Sequence, residues 1–193
     1  MIELSFNKDN NNINLKANVC DNDILKDYMD FEYFTGLCRD GCPLYNLSYT
    51  CPPNSPKFTE HTKDYKSSLV IAMYMNVPKG KTISEVHPYL RRVLSNLLIP
   101  LEKVLNGLLT DGGRCIYCEN CTYIDNLPCR FPEKLRFSME AMRLDLDKVC
   151  KNVLNHSIMW SEDDKNSYCT VMGSVNFNDI CEDNLRDAIL KLI

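Results

Sequence analysis

Apolar and polar positions alternate loosely from Ile13 to Val19, the period of a half-buried strand. The run Leu69 to Val77 is apolar almost throughout and predicts a short strand buried on both faces. Between these two segments lies a loop rich in cysteine and proline. From Thr82 to Glu85 the chain offers a capping box, and Leu90, Leu94, Leu97, Leu101, Val104 and Leu108 then recur at helical spacing. This predicts one helix, kinked near Pro100 and ended by the turn Asp111-Gly112-Gly113. Leu135, Met139, Met142, Leu146, Val149 and Val153 form a second stripe, whose methionines are expected to pack in the core. A further strand is expected at Tyr168 to Phe177, followed by a closing helix through Leu185, Ile189 and Leu192. The fold class is therefore α+β, a small sheet with packed helices and two cysteine-rich loops. No repeat and no long linker appears, so residues 1–193 are expected to form one metal-binding domain.

Charge narrows the function. The 193 residues carry 22 basic and 26 acidic side chains, a net charge of -4, which leaves no basic footprint for nucleic acid or an anionic membrane. The start, Met1-Ile-Glu-Leu-Ser-Phe6, lacks the basic and apolar regions of a signal peptide, and no apolar run approaches the length of a membrane helix. The expected location is the cytoplasm. There a reducing environment disfavours disulfides, so the 11 cysteines, an odd number, point to metal ligands or redox centres.

Seven of these cysteines fall in two groups. In Cys115-Ile-Tyr-Cys118-Glu-Asn-Cys121, followed by Pro128-Cys129, three thiols stand at successive C-x2-C intervals and a fourth follows a short loop. A cubane cluster needs thiolates that reach different irons around a bulky core, and a looping backbone with this spacing wraps it well. Bacterial ferredoxins open with the same triplet, but their fourth cysteine comes sooner and precedes a proline. Cys129 therefore either closes this cluster or reaches across to another. The other group, Cys38-Arg-Asp-Gly-Cys42-Pro43 with Cys51-Pro52-Pro53, has three thiols. Its prolines are expected to hold a rigid loop and Gly41 to allow a tight turn. A lone cysteine such as Cys20 or a carboxylate such as Asp40 could close that site. Zinc is the competing ligand, since Cys118 and Cys121 also fit a structural zinc pair; seven thiols, however, do not divide into complete four-ligand zinc sites. Cys20, Cys150, Cys169 and Cys181 stand singly and are expected to be packing residues. His61, His87 and His156 lie apart from both groups and are assigned no ligand role. Arg114, Arg130, Lys134 and Arg136 crowd the four-thiol group, where they would offset cluster charge or simply form a solvated basic face.

The order Cys38-x3-Cys42-Pro-x-Tyr45, Thr50-Cys51-Pro52-Pro53-x-x-Pro56, Gly113-Arg114-Cys115-x2-Cys118-x2-Cys121, Pro128-Cys129-Arg130-x-Pro132-Glu133 and Ser138-Met139-Glu140-Ala141 resembles an uncharacterised family of predicted metal-binding proteins of anaerobic bacteria and archaea. The likeness spans residues 35–146. It implies that the seven cysteines are metal ligands, and it implies no particular substrate or reaction.

Three functions fit. The first is an iron–sulfur redox protein holding one 4Fe-4S cluster, or two, and passing electrons to a redox partner protein in anaerobic metabolism. The second is an iron–sulfur enzyme in which the three-thiol group leaves one iron open to a small-molecule substrate, for Lewis-acid or sulfur-transfer chemistry. The third is a structural zinc-binding interaction module. No dinucleotide fingerprint, P-loop, serine–histidine pair or paired carboxylates point to another chemistry.

Overall fold

The computed structural model describes residues 1–160, 167–179 and 185–193. Five antiparallel strands, β1 (Ile2–Lys8), β2 (Asn11–Asp21), β3 (Ser67–Asn76), β4 (Leu108–Thr110) and β5 (Tyr168–Phe177), form a sheet of order β1-β2-β3-β5-β4. β3 sits at its centre, with Leu69 opposite Val19 on one side and Val175 on the other. That position explains its unbroken apolar run, because it is covered on both faces. Leu69, Ile71, Met73 and Met75 face one core, and Val70 and Ala72 face a second.

The first core is built on α4 (Ile83–Val104), with α6 (Leu185–Leu190) beside it. Thr82 caps α4 by accepting from the Glu85 N–H at 3.3 Å, while Glu85 Oε2 accepts from the Thr82 N–H at 2.9 Å. The helix runs on through both Pro88 and Pro100. An interior proline costs roughly 3 kcal/mol or more. Seven buried side chains, Val86, Leu90, Val93, Leu94, Leu97, Leu98 and Leu101, outweigh two such penalties at about 1.5–3 kcal/mol each. Gly173 on β5 lets α4 come this close, since a Cβ there would stand 2.6 Å from Leu98 Cδ1 and 2.7 Å from the Thr110 carbonyl.

The second core lies across the sheet, under α5 (Leu146–Leu154) and the segment 138–144. Met139, Met142, Leu144, Val149 and Cys150 are fully or almost fully buried there. β2 alternates accordingly: Ile13, Leu15 and Ala17 face the first core, whereas Asn18 and Lys16 donate to the carbonyls of Val153 and Asn155 at the end of α5, both at 3.0 Å. Between the strands run the short helices α1 (Asn22–Lys26) and α3 (Phe58–His61) and the longer α2 (Phe31–Gly41).

The expected strands and the capping box are present, three expectations need correction, and one strand was not expected. The helix begun at Thr82 ends at Val104 and is capped at Leu105, before Asn106 in the left-handed region and Gly107, so Leu108 belongs to a strand and Asp111-Gly112-Gly113 is not a helix terminus. The stripe from Leu135 to Val153 is helical only from Leu146; Met139 and Met142 are core residues on a turn. Cys38 and Gly41 sit in a helix and not in a rigid loop. Strand β1 was hidden in the polar start of the chain, where Asp9 and Asn10, both at positive φ, make its hairpin turn with β2. The expected closing helix is present as far as Leu190, and Cys181 lies outside the described residues.

Candidate metal centre

Asp30 starts α2 by accepting from the Tyr33 N–H at 3.0 Å, and the helix brings Cys38 into its last turn. Cys42 caps its end, donating its N–H to the Cys38 carbonyl at 3.1 Å. The loop that follows folds back on itself. The Asn46 N–H donates to the Pro52 carbonyl at 2.8 Å, and the N–H groups of Asn54 and Ser55 donate to the Cys51 carbonyl at 2.9 and 3.2 Å. Cys38, Cys42 and Cys51 thereby line one cavity of about 130 Å³.

A second loop leaves β4 and carries the other four cysteines. The Cys115 N–H donates to Thr50 Oγ1 at 3.1 Å, Tyr49 donates its hydroxyl to the Leu127 carbonyl at 2.7 Å, and Tyr123 donates to Asn46 Oδ1 at 2.7 Å. These bonds stitch the two cysteine loops together. Within the second loop, Thr122 Oγ1 donates to the Pro128 carbonyl at 2.9 Å and Arg130 to the Asn120 carbonyl at 3.0 Å. Cys115, Cys118, Cys121 and Cys129 line a cavity of about 200 Å³, and Cys51 lines it too. The two cavities adjoin, sharing Leu44, Thr50, Cys51 and Arg114 in their walls.

Among the described residues, no three histidine, cysteine, aspartate or glutamate side chains converge closely enough to hold one ion. The thiols ring spaces instead. Burial pushes the Cys38 and Cys51 thiols up, and the neighbouring Cys42 and Glu140 push them further. Cys115 is raised by burial and by Cys118, Cys129 and Cys121, with a hydrogen bond from the Tyr117 backbone pulling it partly back. Cys38, Cys51 and Cys115 therefore resist ionisation until a cation offsets the charge.

Two residues at this site carried no signal of their own in the sequence. Glu140 lines the three-thiol cavity, held between the core anchors Met139 and Met142, and its Oε1 accepts from the Gly113 N–H at 3.2 Å. Burial pushes its carboxyl up. Gly113 reaches Glu140 from a positive φ of 68°. Arg143 is 1% exposed, and its guanidinium donates to the carbonyls of Ser55, Pro56 and Ala141, to Ser55 Oγ and to Thr35 Oγ1. None of these acceptors is a carboxylate. The Cys38 thiol is close enough for Arg143 to favour its ionised form. The only sequence signal for either residue was the likeness that extends through Ser138-Met139-Glu140-Ala141.

The other named residues fall elsewhere. Asp40 is exposed and paired with Arg39 at 2.8 Å, and Cys20 sits against the second core; neither lines the three-thiol cavity. Cys150 and Cys169 are fully buried, with thiols pushed up to about 12 and about 11. Arg114 borders both cavities, Lys134 stands over the Tyr117 and Phe131 rings, and Arg136 is held by Glu102 at 2.9 Å. His61 and His156 pack against Phe137 and Tyr74, and His87 is partly buried.

Seven cysteines carried by the end of α2 and by two interlocked loops around adjoining cavities define a cysteine-rich protein of metal-binding type. The chain belongs to the family described as predicted metal-binding protein (DUF2284), whose sequence profile matches residues 26–175. No curated protein and no solved structure matches it.

Proposed function

We propose that this metal-binding protein is an iron–sulfur protein that transfers electrons, with a 4Fe-4S cluster held by Cys115, Cys118, Cys121 and Cys129 and a second centre held by Cys38, Cys42 and Cys51. The observation that carries this reading is the cavity of about 200 Å³ among the thiols. A tetrahedral zinc ion, bound at about 2.3 Å by each sulfur, needs thiolates that converge on a point. A cubane needs them spread around a core. The donor set fits, because soft thiolates favour such clusters and their negative charge suits the buried Arg143 and the adjoining Arg114. When bound, the clusters supply one-electron redox chemistry. The chain's own contribution would be to hold the thiols apart around two adjoining cavities that share Thr50 and Cys51 in their walls.

The second reading, an iron–sulfur enzyme, is favoured by a separate observation. A cavity of about 770 Å³ opens beside Cys38 and Cys42 and is walled by Tyr33, Phe34, Leu37 and Trp160. A simple carrier has no use for such a space, whereas a small-molecule site has this apolar character. An anaerobic redox titration followed by electron paramagnetic resonance separates the readings. Electron transfer predicts a reversible one-electron couple whose signal is indifferent to small molecules; a couple whose signal shifts when a substrate-sized ligand is added would replace the carrier with the enzyme. For either reading, serine at Cys115, Cys118 or Cys121 lowers iron content and protein yield together, because metal binding supplies folding free energy. Serine variants with full iron content would defeat both.

A further inference from the structure

The three-thiol group lacks a fourth cysteine, and the residues around its cavity show what stands in that position. Cys20 and Asp40 are absent from the cavity wall. Glu140 is present, and among the described residues it is the one carboxylate there. The segment that carries it is fixed: Met139 and Met142 are buried at 1% and 0%, and the Ser55 hydroxyl donates to the Ala141 carbonyl at 2.6 Å. The Gly113 N–H and the Ser138 hydroxyl orient the carboxylate. An ionised carboxylate has about four lone-pair sites, so these donors leave it acceptor capacity.

We propose that Glu140 is the fourth protein ligand of the Cys38, Cys42 and Cys51 centre, bonding through oxygen to the iron that no cysteine reaches. This rests on the proposal that an iron–sulfur cluster occupies that centre. Glu140 also lines the cavity of about 770 Å³ beside Tyr33, Leu37 and Trp160, and another of about 300 Å³ beside His87. The carboxylate therefore stands between the thiols and the two outer spaces. A hard oxygen donor is a poorer partner for a cluster iron than a thiolate and exchanges more readily. The small molecule that would displace it carries an anionic oxygen, nitrogen or sulfur donor on an apolar or aromatic body that fits the larger cavity.

The test is mild oxidation of reconstituted protein. A 4Fe-4S cluster in its 2+ state gives one electron to ferricyanide and releases one Fe²⁺, leaving a 3Fe-4S cluster in its 1+ state, and the iron lost is the one without thiolate. Wild-type protein is expected to hold about eight irons per chain before oxidation and to develop the three-iron resonance signal afterwards, with about seven irons kept. Glu140→Ala is expected to lose that iron before any oxidant is added. Glu140→Cys is expected to keep all its iron and to suppress the three-iron signal, a result that a merely structural glutamate would not produce. If the wild type holds eight irons and both variants match it in iron content and in the signal after oxidation, Glu140 is not a ligand. If the wild type holds only about four irons, the second cluster itself is absent, and the inference falls with the reading beneath it.

Discussion

Replacing Arg143 with methionine removes a cation from a place where the protein provides it no carboxylate among its hydrogen-bond acceptors. The side chain is 1% exposed and makes bonds of 2.6 Å to the Ser55 carbonyl, 2.8 Å to Ser55 Oγ and to the Ala141 carbonyl, and 3.2 Å to the Pro56 carbonyl and Thr35 Oγ1. These bonds tie together α2, the strand of chain after Cys51 and the Glu140 segment. A hydrogen bond to a charged group contributes about 1.5–3 kcal/mol, and the contributions of one side chain do not simply add. In metal-free protein the loss is offset, because an unpaired buried charge is itself unfavourable. On the proposed reading the thiolate-bound centre would be the counter-charge in loaded protein, and removing one partner of a buried pair costs roughly 3–5 kcal/mol. Methionine keeps the volume and adopts the positive φ of 70° no more strainedly than arginine. Anaerobic urea unfolding of loaded and metal-free protein, wild type and Arg143→Met, gives the two losses. The loaded form should lose more, by at least about 1–2 kcal/mol. Equal losses in both forms would make Arg143 a strut and refute its electrostatic role.

Gly173→Ala forces a Cβ against Leu98 Cδ1 and the Thr110 carbonyl, and should lower stability by about 1–3 kcal/mol in urea unfolding without changing metal content. Cys150→Ala and Cys169→Ala should also keep their metal, with a loss of a few kcal/mol at most, about that of a small core truncation; metal analysis of each variant checks the assignment. The same thiols give a pH dependence. Because the Cys150 thiol is raised from 9.0 to about 12, its contribution is intact below 9.0 and is lost as pH rises through about 12. Alkaline unfolding of metal-free Cys150→Ala should therefore fall less steeply over that range than that of the wild type. Cys38, Cys51 and Cys115 have raised thiols, so metal must displace protons from them, and reconstitution should weaken as pH falls.

The elements that were legible in the sequence are those whose pattern is set by local rules. Strand β3 was visible because burial on both faces leaves an apolar run from Leu69 to Met75, and α4 because Thr82 and Glu85 form a reciprocal cap ahead of a leucine stripe. Strand β1 was not, since an edge strand alternates with exposed polar residues and its polar hairpin turn blends into Asn7 to Asn14. The span of α2 was obscured by its own cysteines and glycine: Phe31, Phe34, Leu37 and Cys38 recur at helical spacing, but the stripe is short, none of it is buried, and Cys38-Arg-Asp-Gly-Cys42 looks like a loop. At the site, spacing alone brought Cys115, Cys118, Cys121 and Cys129 together, and the structure gathers them around one cavity. Cys51 bordering both cavities, and Glu140 and Arg143 reaching the three-thiol group from about 90 residues further along the chain, depend on long-range packing. A lone glutamate between two methionines carries no spacing from which such a role could be deduced.

Iron, acid-labile sulfide and zinc measured together on anaerobically purified protein test the central claim most directly. An iron–sulfur protein with both centres filled gives about eight irons and about eight sulfides per chain with no stoichiometric zinc. Protein that carries zinc and no acid-labile sulfide would contradict the account.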